Sequence, residues 1–121
     1  MSSSIVPVYP VDINDIFEAC EYGIVDTGNG GQAWENRFFG FRVLITDLGG
    51  VSLPTADDII LVGVYASDDA EEPLYLEEYA TAAEAVKGAA IVATEYAIGG
   101  IRAAYYALAD AIDLTDDNVA F

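Results

Sequence analysis

The chain has no histidine, one cysteine, one tryptophan, one methionine and only four basic residues. Most of these shortages close a class of function. Without histidine, the usual general base and most transition-metal sites are excluded. Cys20 alone permits neither an internal disulfide nor a cysteine-based zinc site. Arg37, Arg42, Lys87 and Arg102 are too few to neutralise a phosphate track, so direct nucleic-acid binding is excluded. An anionic membrane surface is excluded on the same ground. Long uninterrupted apolar runs are also missing: Glu95, Arg102 and Asp110 break the stretch from Gly88 to Ile112, which argues against a membrane span. Met1 to Val8 has neither a charged leader nor a long apolar run, so no signal peptide is expected.

What is present is acid. Twenty-one Asp and Glu against 4 basic residues give a formal net charge of -17, yet 54% of the chain is hydrophobic. A disordered acidic tail would be poor in apolar residues, so this is a folded chain, and 121 residues make one domain. Such a charge repels itself in dilute buffer. In ~1 M salt the Debye length falls to roughly 3 Å and the repulsion nearly vanishes. Abundant Asp and Ala with almost no Lys resembles the proteins of extreme halophiles, haloarchaea and their viruses. That resemblance implies a high-salt host. A nucleic-acid mimic is the other source of such a charge.

Val6 to Pro10 is an extended lead-in within an N-terminal arm over 1–11. Asp12 reads as an N-cap with Asp15 three residues on. Ile13, Ile16, Phe17, Cys20 and Ile24 follow at helical spacing, predicting a helix from Ile13 to about Tyr22, ended by Gly23. Cys20 falls on its apolar stripe and is expected to be a small buried hydrophobe. Asp26 to Gly31 reads as a flexible loop. Arg37 to Thr46 is one expected strand, with Phe39, Phe41, Val43 and Ile45 on one face. Ile59 to Ala66 is a second, apolar on both faces. Leu74 to Tyr79 is a third, near an edge because Glu77 and Glu78 point to opposite faces. Thr81 with Glu84 forms a capping box opening a long helix that extends toward Asp113, followed by an acidic tail over 114–121. The expected fold is α+β: a short N-terminal helix, a three- to four-stranded antiparallel sheet, and a long C-terminal helix packed on the sheet.

The long helix carries the main functional signal. Ile91, Ile98, Tyr105 and Ile112 are spaced by seven, and Thr94, Ile101 and Leu108 fill the intermediate positions, as in an a/d seam. Gly99-Gly100 lies in the middle, where two glycines cost roughly 2 kcal/mol. A kink or a closely packed second backbone is expected there. One reading packs the seam on the sheet. But Val92, Tyr96, Ala103 and Tyr106 form a second apolar face, and a helix apolar on two faces is buried on two faces. One face meets the sheet; the other needs a neighbouring subunit. The expected interface residues are Ile91, Val92, Tyr96, Ile98, Ile101, Tyr105, Tyr106 and Leu108, with the tyrosines suited to an interface by an apolar body and a polar tip.

Other segments offer competing sites. Ile24-Val25-Asp26-Thr27-Gly28 resembles the catalytic turn of aspartic proteases, with Leu61-Val62-Gly63 as the later apolar pair before glycine. The resemblance implies a retropepsin-like homodimer with one Asp26 per subunit, two carboxylates sharing a proton. Asn29 stands where that family has Ser or Ala, and the long Ala-rich helix has no counterpart. Asp26 and Asn29 also offer oxygen ligands, but the alternation and closing Glu of an EF-hand are missing; no specific metal site and no cofactor are expected. The acidic doublets Asp57-Asp58, Asp68-Asp69, Glu71-Glu72, Glu77-Glu78 and Asp116-Asp117 would serve a mimic occupying a basic groove, yet they cluster in turns rather than along the helix.

From Glu35 to Glu95 the chain is similar in pattern to small tailed-phage proteins: a strand after Glu35-Asn36-Arg37, a second at Ile60 to Tyr65, then Tyr79, Thr81, Glu84 and Ala85. The order helix, antiparallel strands, long helix also looks like siphophage tail-terminator and neck proteins, which form rings. The resemblance implies a virion component of a haloarchaeal tailed virus, assembled in the host cytoplasm, with itself and other virion proteins as partners and no catalytic residue. The sequence thus points to a non-enzymatic, homo-oligomeric virion protein of neck, tail or head surface. A nucleic-acid-mimic inhibitor and a dimeric aspartic protease are the alternatives.

Overall fold

The computed structural model describes residues 12–28 and 30–116, with side chains as far as Ala111. The N-terminal arm, Asn29 and the last five residues of the expected tail lie outside the described residues. The chain order is α1 (Ile13–Ala19), β1 (Gly23–Gly28), β2 (Gly31–Phe38), β3 (Phe41–Asp47), β4 (Ile60–Tyr65), β5 (Tyr75–Tyr79) and α2 (Ala82–Asp116). All strands pair antiparallel with their sequence neighbours, giving one sheet in the order β1-β2-β3-β4-β5. The class is α+β, as expected, with five strands instead of three or four.

The additional strands come from two hairpins. The segment from Asp26 to Gly31, expected as a flexible loop, carries the ends of two paired strands: Asp26 pairs with Gln32 and Gly28 with Gly31, with a bulge between Asp26 and Gly28. The expected single strand from Arg37 to Thr46 is cut by a two-residue turn, and Phe38 pairs with Phe41 across it. Both turn residues have positive φ, 54° at Phe39 and 87° at Gly40, as a type I′ turn requires. Phe39 therefore leaves the apolar face and stands 71% exposed.

Helix α1 is shorter than the spacing suggests. Asp12 caps it, its carboxylate accepting from the Asn14 N–H at 2.9 Å. At the other end Glu21, not Gly23, takes the left-handed conformation, φ 67°. The Glu21 N–H donates to Glu18 O at 3.0 Å and the Tyr22 N–H to Phe17 O at 2.9 Å. That pair of bonds is a Schellman motif, completed by the Phe17–Tyr22 ring contact. The stop turns Cys20 outward, so it is exposed rather than buried; Tyr22 takes the inward place.

The core lies between the sheet and the two helices. Phe17, Tyr22, Trp34, Val43, Ile45, Ile60, Val62 and Val64 are buried there. Helix α2 contributes almost only alanine to it: Ala82, Ala85, Ala89 and Ala93 are buried, with Val86 and Val92 at the margin. The heptad seam is therefore not what packs on the sheet. Small side chains let the helix axis come close. At Gly88 a Cβ would run into the Tyr79 ring. Thr81 caps α2, its hydroxyl accepting from the Glu84 N–H at 3.1 Å. The helix continues three residues past Asp113. It also passes unbroken through Gly99 and Gly100, where nothing beyond the helix itself comes within 4 Å of the missing Cβ positions.

Candidate oligomerisation surface

Helix α2 has two working halves. From Ala82 to Ala97 one side lies on the sheet. From Ile98 to Ala111 every residue is exposed except Ala109, which is half-buried. At 1.5 Å per residue, the outer part of the helix from Ile98 to Asp116 is about 27 Å long.

The seam lies about 150° around the helix from the buried alanines, at 100° per residue. Its members Ile91, Ile98, Ile101, Tyr105 and Leu108 are open, from 42% exposed at Ile98 to 69% at Ile101. Thr94, between them, is satisfied within the helix, its hydroxyl donating to Ala90 O at 2.7 Å. It therefore adds no unpaired polar group to the stripe. Tyr106 is exposed on another side and touches the Tyr105 ring. Of the eight expected interface residues, Val92 and Tyr96 are the two the chain uses on itself. Val92 packs against the core. Tyr96 lies against Phe41 and donates its hydroxyl to Leu74 O at 2.9 Å.

Charge is distributed unevenly around this surface. Arg37 and Arg42 are cross-strand partners in β2 and β3, held together by Glu35 between them. Glu35 accepts from Arg42 at 2.7 Å and from Arg37 at 2.9 Å, and Asp68 accepts from Arg37 at 2.9 Å. The Asp68 hydrogen bond, then the Glu35 charge, raises the Arg37 pKa further above its ordinary value. Among the described residues neither Lys87 nor Arg102, both on α2, makes an ion pair. Between Tyr96 and Ala111 the only charged residues are Arg102 and Asp110. The stretch from Tyr96 to Ala111 is thus near-neutral in a chain whose net charge is -17.

Of the other sequence candidates, Thr27 of the Asp-Thr-Gly triplet and Leu61 and Gly63 of the later apolar pair line one open cavity on the outer face of the sheet, but Asp26 is not in its lining. Asp26 is on β1 and Leu61-Val62-Gly63 is in β4, with β2 and β3 between them. Among the described residues no cluster of three or more acidic, Cys or His side chains is placed to hold a metal, and no helix is long and apolar enough to cross a membrane. Asp58 is engaged locally, accepting from the Thr55 N–H and hydroxyl. The outer face of the sheet escapes the sequence pattern. Leu44, Leu61, Tyr65 and Leu76 line an open cavity of about 310 Å³ there. The alternation of Leu44 and Leu61 with buried neighbours was the available signal. No protein-family model, curated protein or solved structure matches the chain.

Proposed function

We propose that this chain is a non-enzymatic assembly protein that associates with copies of itself through the exposed half of α2. The observation that carries the reading is the apolar seam standing opposite the sheet-facing alanines, on a stretch that carries little charge. Large apolar side chains in a contiguous exposed stripe mark an interaction surface. The acidic composition, similar to that of halophile proteins, and the element order, similar to siphophage neck and tail proteins, support a virion subunit of a halophilic virus as the setting.

The test is mass by light scattering at about 3 M salt and again in dilute buffer, where screening is weak. A defined oligomer in high salt that dissociates or unfolds in dilute buffer is expected. A monomer in high salt would overturn the reading.

A further inference from the structure

We infer that the partner on α2 is a second copy running antiparallel, with the two-fold axis crossing the helix pair beside Gly99-Gly100. This rests on the self-association proposed above and specifies its geometry.

The seam is self-complementary in that direction. In an antiparallel pair each first-position residue of the heptad faces a fourth-position residue. Placing the axis between residues 99 and 100 sets Ile98 against the partner's Ile101, Thr94 against the partner's Tyr105, and Ile91 against the partner's Leu108. Every layer is then repeated by symmetry, as an isologous interface requires. A small side chain faces a large one in the Thr94 layer, and the isoleucines meet at the centre.

The flanking charges match the same register. Glu95 follows Thr94 and Arg102 follows Ile101, so both lie on one flank of the seam. Antiparallel pairing brings like flanks together, and Glu95 comes within side-chain reach of the partner's Arg102, twice per dimer. Arg102 has no ion pair within its own chain among the described residues. The other flank is alanine at Ala90, Ala97 and Ala104, which lets the backbones approach. A parallel pair would instead set the charged flank against alanine.

Antiparallel pairing also separates the acidic bodies. Ala89, which marks the sheet-packed half, would lie about 30 Å along the axis from the partner's Ala89. That is on the order of ten Debye lengths in ~1 M salt, roughly 3 Å each, so the bodies do not repel at that distance. A parallel pair would hold the two bodies side by side.

The experiment uses the full chain with Cys20→Ser, a change at an exposed position. Two further variants report the register in high salt, beside the mass by light scattering. Ile91→Cys/Leu108→Cys is expected to oxidise to a covalent dimer, while each single cysteine stays uncrosslinked. These two sites are about 25 Å apart on one helix, far beyond the reach of a disulfide within a chain. Nitroxides on Ala83→Cys, at the exposed start of α2, are expected about 50 Å apart. Three outcomes would overturn the antiparallel register and leave self-association standing. They are an oligomer whose double variant stays uncrosslinked, one whose Ile91→Cys single variant crosslinks, and one whose labels at position 83 lie within about 20 Å, allowing for one helix diameter and two labels. A monomer by light scattering would overturn both.

Discussion

The two halves of α2 are built from the same few residue types and do opposite things. Ala82 to Ala97 presents alanine to the sheet and is held against it. Ile98 to Ala111 presents isoleucine, tyrosine and leucine outward and touches little of its own chain. On this helix the small side chains make the fold and the large ones are left over. A helix that must sit close to a sheet uses residues that keep out of the way.

The largest contrast is expected from placing the same acid on each half. Ala89→Asp buries an unpaired carboxylate against the core and is expected to cost at least about 3 kcal/mol, read by denaturant unfolding in high salt. Ile101→Asp is expected to change the unfolding of the monomer by no more than about 0.5 kcal/mol while weakening association at least tenfold by light scattering. Equal effects from the two substitutions would erase the distinction between the halves.

Glycine gives the next test, with opposite signs. Gly88→Ala forces the Tyr79 ring aside and disturbs its 2.6 Å hydroxyl contact with Tyr75. Overpacking of this kind costs about 1–3 kcal/mol. Gly99→Ala and Gly100→Ala meet open space within the chain and are expected to stabilise by about 0.5–1 kcal/mol each. Thermal unfolding of the three variants in high salt checks both signs.

A smaller effect belongs to the packed side alone. Among the described residues, the Tyr22 hydroxyl and the Trp34 Nε1 are buried and have no hydrogen-bond partner. Burial, foremost, and the neighbouring Cys20 push the Tyr22 pKa well above its ordinary value. The raised pKa means that the contribution of Tyr22 is complete below the unfolded value, about pH 10, and is lost as pH rises beyond it. Tyr22→Phe is expected to stabilise by about 1 kcal/mol and to flatten the alkaline loss of stability in unfolding curves from neutral pH upward.

Much of the fold was legible in the sequence for local reasons. Asp12 and Thr81 announce their helices because a cap needs an oxygen before the first free N–H. Glu77 and Glu78 mark an edge because adjacent strand residues face opposite ways. The hairpin turn at Phe39-Gly40 was hidden because the apolar alternation runs straight through it and a phenylalanine takes the left-handed position. Cys20 leaves the apolar stripe because the helix stops at Glu21 instead of at the expected glycine. The seam was visible from its period of seven. Which face meets the sheet was not, since hydrophobic periodicity weights large side chains and close helix packing favours small ones.

The continuity of α2 also sets a rate. Starting a helix is the unfavourable event, with a nucleation constant on the order of 10⁻³. Here the start is made once, on the sheet, and the outer turns only propagate from it, in about nanoseconds per residue. Those turns melt from the far end inward and reform from the sheet outward, so their amides are expected to exchange in graded order along the helix. A diffusing copy arrives far more slowly than that, and meets a helix that has already reformed.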